Sequence, residues 1–159
     1  MSNTNGHLTT ESQFSVFLPS RPGALAHVVQ ALADSSINLV ALSLMDSTEH
    51  GVLRLVTDTP DRVKDALTKL QVSFTDTPVL LATLPNRPGA LADVVERLAS
   101  EHINVNYAYC TTGARNGKTN GVFKVSDVSK AIKVLSGGRS PKRISKKVVR
   151  QSPAKITRR

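Results

Sequence analysis

Apolar and polar positions follow two periods along this chain, and the same succession of periods occurs twice. Short apolar runs at residues 14–18 and 79–84 end at a proline, which is typical of strands. After each run, aliphatic residues recur at the i, i+3, i+4 and i+7 positions that place one apolar stripe on a helix. These residues are Leu25, Val28, Val29 and Leu32 in the first half, and Leu91, Val94, Val95 and Leu98 in the second.

Two further strands and a second helix follow in each half. Apolar runs at residues 39–45 and 105–110 predict the second strand, and alternation at residues 52–56 and 122–125 predicts the third. A second apolar stripe then predicts another helix, and residues 72–74 are a candidate closing strand for the first half. The order β-α-β-β-α-β predicts an α+β fold of the ferredoxin-like type, in which an antiparallel sheet carries its helices on one face.

The two halves are copies of one unit. Residues 18–38 and 84–104 are offset by 66 positions and are identical at 14 of 21 positions. Two tandem modules are therefore expected, at residues 13–76 and 77–138. Because few residues connect them, the modules are expected to pack with their sheets or helices side by side.

The end of the second module departs from the first. After Leu135 the apolar pattern stops, and only residues 146–150 offer a poor fourth strand. Two alternatives follow: the second module lacks its closing strand, or it receives that strand from elsewhere.

Charge is concentrated at the end of the chain. Residues 1–135 carry 12 Lys/Arg and 12 Asp/Glu, whereas residues 136–159 carry nine Lys/Arg and no acid. Residues 139–159 are therefore expected to be a disordered basic tail, and the polar residues 1–12 a disordered N-terminus. The tail is either a solubilising end or an anchor for phosphate backbones, and its lack of aromatic residues weakens the second alternative.

Several function classes find no support in the sequence. No apolar run reaches the roughly 18 residues of a membrane span, and a single cysteine excludes a disulfide framework. Residues 112–119 are similar to a phosphate-binding loop, but Thr112 replaces its first glycine and strands flank it. Neither a metal-ligand spacing of the histidines nor a nucleophile–base pattern is found. We therefore expect a cytoplasmic protein that is not an enzyme and holds no cofactor or metal.

The segments that open the first helix of each half resemble the ACT domain. They carry the motif Arg-Pro-Gly-Ala-Leu after a strand, at residues 21–25 and 87–91, and Ile-Asn before the next strand. The resemblance covers residues 13 to about 135 and is nearest to stand-alone proteins made of two such modules. It implies a regulatory protein that binds an amino acid or a similar small metabolite.

The resemblance also implies which residues contact the ligand. In the family, the loop between the first strand and the first helix lines a ligand site at the interface between paired modules. That role passes to Asn86, Arg87, Pro88, Gly89, Ala90 and Leu91 in the second module, and to Ser20, Arg21, Gly23, Ala24 and Leu25 in the first. Asn38 and Asn104 are further candidates because an amide both donates and accepts hydrogen bonds, although turn formation is the alternative explanation.

The residues themselves give a physical reason for a ligand at these loops. A helix N-terminus leaves N–H groups unpaired at its positive end, and a glycine lets a carboxylate approach them. A tight strand-to-helix turn explains Gly23 and Gly89 equally well. Because Asn86 offers a donor and an acceptor where Ser20 has one hydroxyl, the site with Asn86 and Asn104 is expected to bind more tightly.

Three functions remain open from the sequence. The leading one is a non-enzymatic regulatory protein that binds an amino acid. The second is a regulatory subunit that docks on an amino-acid-biosynthetic enzyme, and the third is a nucleic-acid-associated protein anchored by its tail. Self-association through sheet edges or helix faces is compatible with each of them, and no membrane partner is expected.

Overall fold

The structure is a computed structural model that describes residues 7–45, 50–114 and 117–137. The first half contains β1 (Leu8–Pro19), α1 (Ala24–Asp34), β2 (Leu39–Met45), β3 (His50–Thr57) and α2 (Pro60–Lys69). The second half contains β4 (Phe74–Pro85), α3 (Ala90–Ser100), β5 (Val105–Ala114), β6 (Lys118–Val125) and α4 (Val128–Ser136). The strands form one six-stranded sheet in the order β2-β3-β1-β4-β6-β5. Every pairing is antiparallel, which confirms the predicted α+β class.

Two apolar cores lie between the sheet and the helices. The first unites residues of β1, β3, α1 and α2, including Phe14, Val28, Leu55 and Leu67. The second unites residues of β4, β6, α3 and α4, including Leu80, Val94, Phe123 and Leu135. Within β1, Phe14 belongs to the first core and Leu8 packs on the second. Because the two residues are an even number of positions apart, their side chains lie on the same face of the sheet. Both pairs of helices therefore pack on that one face. Each fully buried Leu or Phe contributes roughly 1.5–3 kcal/mol to this packing.

The closing strand of the second module comes from the start of the chain. Residues Leu8 to Glu11 of β1 pair with Ala82 to Val79 of β4, on the side of β4 that β6 leaves free. The second module therefore receives its closing strand from elsewhere, which resolves the two alternatives. The same finding corrects the expectation of disorder for residues 8–12, which belong to β1, whereas residues 1–6 lie outside the described residues.

The first module in turn takes its closing strand from β4. Phe74 pairs with Val16, and the strand continues without a break to Pro85 in the second module. The separate strands expected at residues 72–74 and 79–84 are thus one strand that crosses the boundary expected between residues 76 and 77. The sequence obscures this continuity because Pro78 lies inside β4, where a proline argues against a central strand.

The shared strands confirm that the modules pack side by side. The tail expected at residues 139–159, and with it the candidate strand at residues 146–150, lies outside the described residues. Within the part of the chain that the structure describes, no helix is long and apolar enough to cross a membrane.

On the face of the sheet without helices, parts of the two edge strands approach each other. Strands β2 and β5, at opposite ends of the sheet order, contact each other. Beneath them Ala41, Val56, Val79 and Val122 form a third buried cluster. The sheet is therefore curled, and this face has an interior of its own.

A buried glutamine lies in that interior. Gln13 is completely buried and donates to the Tyr107 hydroxyl at 2.6 Å, while the Tyr109 hydroxyl donates to Gln13 Oε1 at 3.0 Å. The Arg54 guanidinium stacks on the Tyr107 ring, 4.4 Å from its centroid. These contacts tie β1 and β3 of the first module to β5 of the second.

Candidate functional site

The loop after β1 makes a tight turn into α1. The Arg21 N–H donates to the Pro19 carbonyl at 2.8 Å, and the His27 N–H donates to the Gly23 carbonyl at 2.9 Å. Gly23 has φ 86° and ψ −15°, a left-handed conformation that side chains rarely adopt. Gly89 has the same two angles before α3, so the backbone requirement is the same in both modules. A tight turn therefore explains both glycines, whatever else binds there.

A cavity of about 420 Å³ opens beside the first of these loops. Four of the predicted site residues line it, namely Ser20, Arg21, Ala24 and Leu25, together with Leu18, Pro19 and Pro22. The remaining lining residues are Leu44, Met45 and Gly51. Sequence reasoning missed these three because they belong to the second and third strands, and only the pairing of β2 with β3 brings them to the end of β1. Gly23 shapes the loop without lining the cavity.

The lining residues offer a cation beside an apolar wall. Leu18, Leu25 and Leu44 supply aliphatic surface, and the Ser20 hydroxyl is a short polar group. The Arg21 side chain is exposed, and among the described residues no group forms a hydrogen bond or an ion pair with it. The N-terminal end of α1 adds a partial positive charge. This arrangement suits a small molecule that has both a carboxylate and an apolar side chain.

The equivalent loop of the second module is closed by contacts within the chain. The Asn86 N–H donates to the Gly117 carbonyl at 2.6 Å, which ties the loop to the β5–β6 hairpin. Arg87 forms an ion pair with Asp93, with 2.8 Å between Nη2 and Oδ2, and its Nη1 donates to the Pro88 carbonyl at 3.2 Å. The predicted site residues from Asn86 to Leu91 are thus together in one loop, but Arg87 already has an anionic partner.

The two asparagines lie away from the loops of their own modules. Asn38 precedes Leu39, whereas the cavity is lined by Met45 at the other end of β2, seven residues or roughly 23 Å along the strand. Asn104 is exposed before β5, where its N–H donates to the Ser126 hydroxyl at 3.2 Å and its carbonyl accepts from the Ser126 N–H at 3.0 Å. Neither amide therefore joins its own loop within one chain.

Other reactive groups do not assemble into a site in the described ranges. Among residues 7–45, 50–114 and 117–137, no group of three or more His, Cys, Asp or Glu is arranged to hold a metal ion. Cys110 is exposed on β5, and desolvation raises the pKa of its thiol, which keeps the sulfur protonated. The segment similar to a phosphate-binding loop connects β5 to β6, so its context is strand–turn–strand, as the sequence indicates.

The fold defines a pair of ferredoxin-like modules, with a ligand-sized cavity at the strand-to-helix loop of the first module. The family model described as "ACT domain pair" matches residues 9–139. The chain therefore belongs to the ACT domain pair family, a regulatory fold that binds amino acids.

Solved structures agree with this assignment. The chain is similar to protein BT0572 from Bacteroides thetaiotaomicron, with 34% identity, 80% of this chain and 88% of that chain covered, and a TM-score of 0.74. The ligand-free regulatory subunit of aspartate kinase from Thermus thermophilus is 16% identical, with coverage of 82% and 95% and a TM-score of 0.59. The corresponding subunit from Thermus flavus is 17% identical, with coverage of 82% and 94% and the same TM-score of 0.59. The two kinase subunits show a shared fold. No curated protein sequence matches the chain significantly.

Proposed function

We propose that this protein is a cytoplasmic regulatory protein, not an enzyme, that binds an amino acid or a similar carboxylate-bearing metabolite. The observation that carries the proposal is the cavity beside the β1–α1 loop, with Arg21 unpaired among the described residues at its rim. Membership in the ACT domain pair family supports a ligand of this class.

The proposed binding mode follows from the lining residues. The ligand carboxylate lies at the N-terminal end of α1 and pairs with the Arg21 guanidinium, while Ser20 donates a further hydrogen bond. An apolar ligand side chain packs against Leu25 and Leu44. The apolar wall favours an aliphatic side chain over a charged one, because a charge placed there loses its hydration.

A second copy of the chain completes the site in this proposal. Strand β2 is at the edge of the sheet, carries no charged residue, and leaves Leu42, Leu44 and Met45 39–53% exposed. If two β2 strands paired antiparallel with Leu42 of one copy opposite Leu42 of the other, Asn38 of one copy would lie opposite the residue that follows Met45 in the other copy. Such a dimer covers the open wall of the cavity and brings an amide to the ligand.

Thermal-shift measurements with the twenty amino acids, followed by titration calorimetry, test the proposal. Arg21→Gln is expected to weaken binding about tenfold or more, since a hydrogen bond to a charged group contributes about 1.5–3 kcal/mol. Lys133→Gln is the matched control, because Lys133 is exposed on α4 in the other module and its loss changes the net charge equally. Equal weakening by both variants would place the ligand elsewhere. Leu42→Glu tests the dimer by sedimentation and should give monomers.

A regulatory subunit that docks on a biosynthetic enzyme is the second candidate. An exposed apolar row on the helix-free face favours it: Phe17 and Met45 both lie opposite Val52 of β3. They are 42% and 53% exposed, respectively. Co-purification of one defined enzyme, lost in Phe17→Ser, would support docking. Nothing among the described residues favours the third candidate, nucleic acid bound by residues 139–159, for which salt-sensitive DNA retention is the test.

A further inference from the structure

The first helical turn after each of the two loops differs in charge at one position. The modules share Arg-Pro-Gly-Ala-Leu and the same glycine conformation, but α1 has His27 where α3 has Asp93. The two residues are related by the offset of 66, and each N–H donates to the carbonyl of the preceding glycine at 2.9 Å. The helix N-termini therefore have the same backbone, and within the first turn only the side chain at this position changes their charge.

In the second module the aspartate pairs with the arginine of the loop. The Asp93 carboxylate pairs with Arg87 and lies in the first turn of α3, where the positive end of the helix favours its negative charge. The Arg87 guanidinium is folded back over the loop, with Nη1 3.6 Å from the position of a Cβ on Gly89. An incoming carboxylate would have to displace one negative charge and approach another.

In the first module the same position carries no acid. His27 is exposed, the first turn of α1 contains no acidic residue, and Arg21 lacks a partner among the described residues. A Cβ on Gly23 would meet no atom within 4 Å, so the space above the loop is open. The cavity described above lies at this loop.

We propose that the residue at this position decides which loop accepts an anionic ligand. With His27, the first loop remains open to the carboxylate of a ligand. In the second loop, the Asp93 carboxylate pairs with Arg87 in place of a ligand carboxylate. This reverses the ranking expected from Asn86 and Asn104. The inference rests on the proposed function, because it assumes that the ligand binds through a carboxylate.

Exchanging the two residues tests the inference in the full-length chain. Sodium 3-methylbutanoate, a carboxylate with a small apolar chain, is titrated while the Gly23 and Gly89 amide signals are followed separately by NMR. In the native chain only Gly23 is expected to show a saturating shift. His27→Asp should raise the dissociation constant at Gly23 about three- to tenfold, because exposed ion pairs are weak. Asp93→His should produce a shift at Gly89 that the native chain lacks.

Neutral variants separate charge from shape. His27→Asn matches aspartate in size without its charge, and should leave the dissociation constant at Gly23 within twofold of native. Equal effects of His27→Asp and His27→Asn would overturn the inference, as would a native Gly89 shift as strong as that of Gly23. In that last case the proposed function would stand. A native chain in which neither glycine responds would overturn this inference, and the proposed function would then be decided separately by the thermal-shift measurements with the twenty amino acids.

Discussion

Ser12 of β1 lies directly opposite Pro78 of β4, and the two residues occupy the same position of the repeated unit, 66 residues apart. This pair marks an approximate two-fold axis of the sheet. In each of the two strands, the residues after this position belong to the strand's own module, and the residues before it close the sheet of the neighbouring module. Neither module has a complete sheet alone, so we expect the two to unfold together.

The first prediction follows from this exchange. Removal of residues 1–11 should destabilise the second module, because it deletes Leu8 from the second core and the residues of β1 that pair with β4. Several ladder hydrogen bonds at about 0.5–1.5 kcal/mol each, with the loss of Leu8, amount to a few kcal/mol. Chemical denaturation monitored by circular dichroism measures this loss.

Removal of residues 139–159 is the matched truncation at the other end. The free energy of unfolding should change little, since the place beside β4 is already taken by β1. A larger loss from this truncation than from removal of residues 1–11 would show that the tail, rather than β1, completes the second sheet in solution.

The sequence predicts the order of the elements but not this exchange of strands. The helices and the buried strands were predictable because their apolar residues repeat at fixed spacings. The first part of β1 was not, because Thr9, Thr10, Glu11 and Ser12 are polar and only Leu8 packs on a core. Its pairing depends on β4, which is distant in sequence and contains a proline. A strand that is held mainly by pairing with its neighbours need not show an apolar pattern in its own sequence.

The candidate site was predictable to a similar degree. The repeated motif located both loops and four of the residues that line the first cavity, but it could not show that Leu44 and Met45 form a wall of that cavity. The difference between His27 and Asp93 is visible in the sequence. Its consequence is not, because it depends on the Arg87–Asp93 contact.

The second prediction concerns the buried glutamine. Gln13→Met keeps the size of the side chain but removes the hydrogen bond that each of the Tyr107 and Tyr109 hydroxyls makes with Gln13. Hydroxyl groups left buried without partners cost about 1–3 kcal/mol each, so a clear loss of stability is expected. Tyr107→Phe together with Gln13→Met should be less destabilising than the sum of the two single changes. Additive effects in this double-mutant cycle would show that the hydrogen bond contributes nothing.

The third prediction is a loss of stability at high pH. Desolvation, with Tyr107 adding to it, raises the pKa of Tyr109 above its ordinary value. A raised pKa means that the folded state favours the neutral phenol, so this contribution is complete below the unfolded pKa of about 10 and is lost as pH rises through the folded pKa. Between about pH 9 and 12, the free energy of unfolding should therefore fall more steeply with pH in the native chain than in Tyr109→Phe. Identical slopes would exclude Tyr109 as the source.

The fourth prediction uses the two glycines as a matched pair. Gly23→Ala and Gly89→Ala place a side chain at the same φ of 86°, and neither Cβ meets an atom closer than 3.6 Å. Both should therefore lose a similar amount of stability, about 1–2 kcal/mol for a left-handed residue. Ligand affinity should separate them: if the first loop binds the carboxylate, Gly23→Ala obstructs its approach to the backbone, whereas Gly89→Ala leaves binding unchanged. Calorimetric titration of both variants decides between the loops. Loss of binding in Gly89→Ala alone would restore the ranking expected from Asn86 and Asn104, and the ion pair of Arg87 with Asp93 would then have to open when the ligand binds.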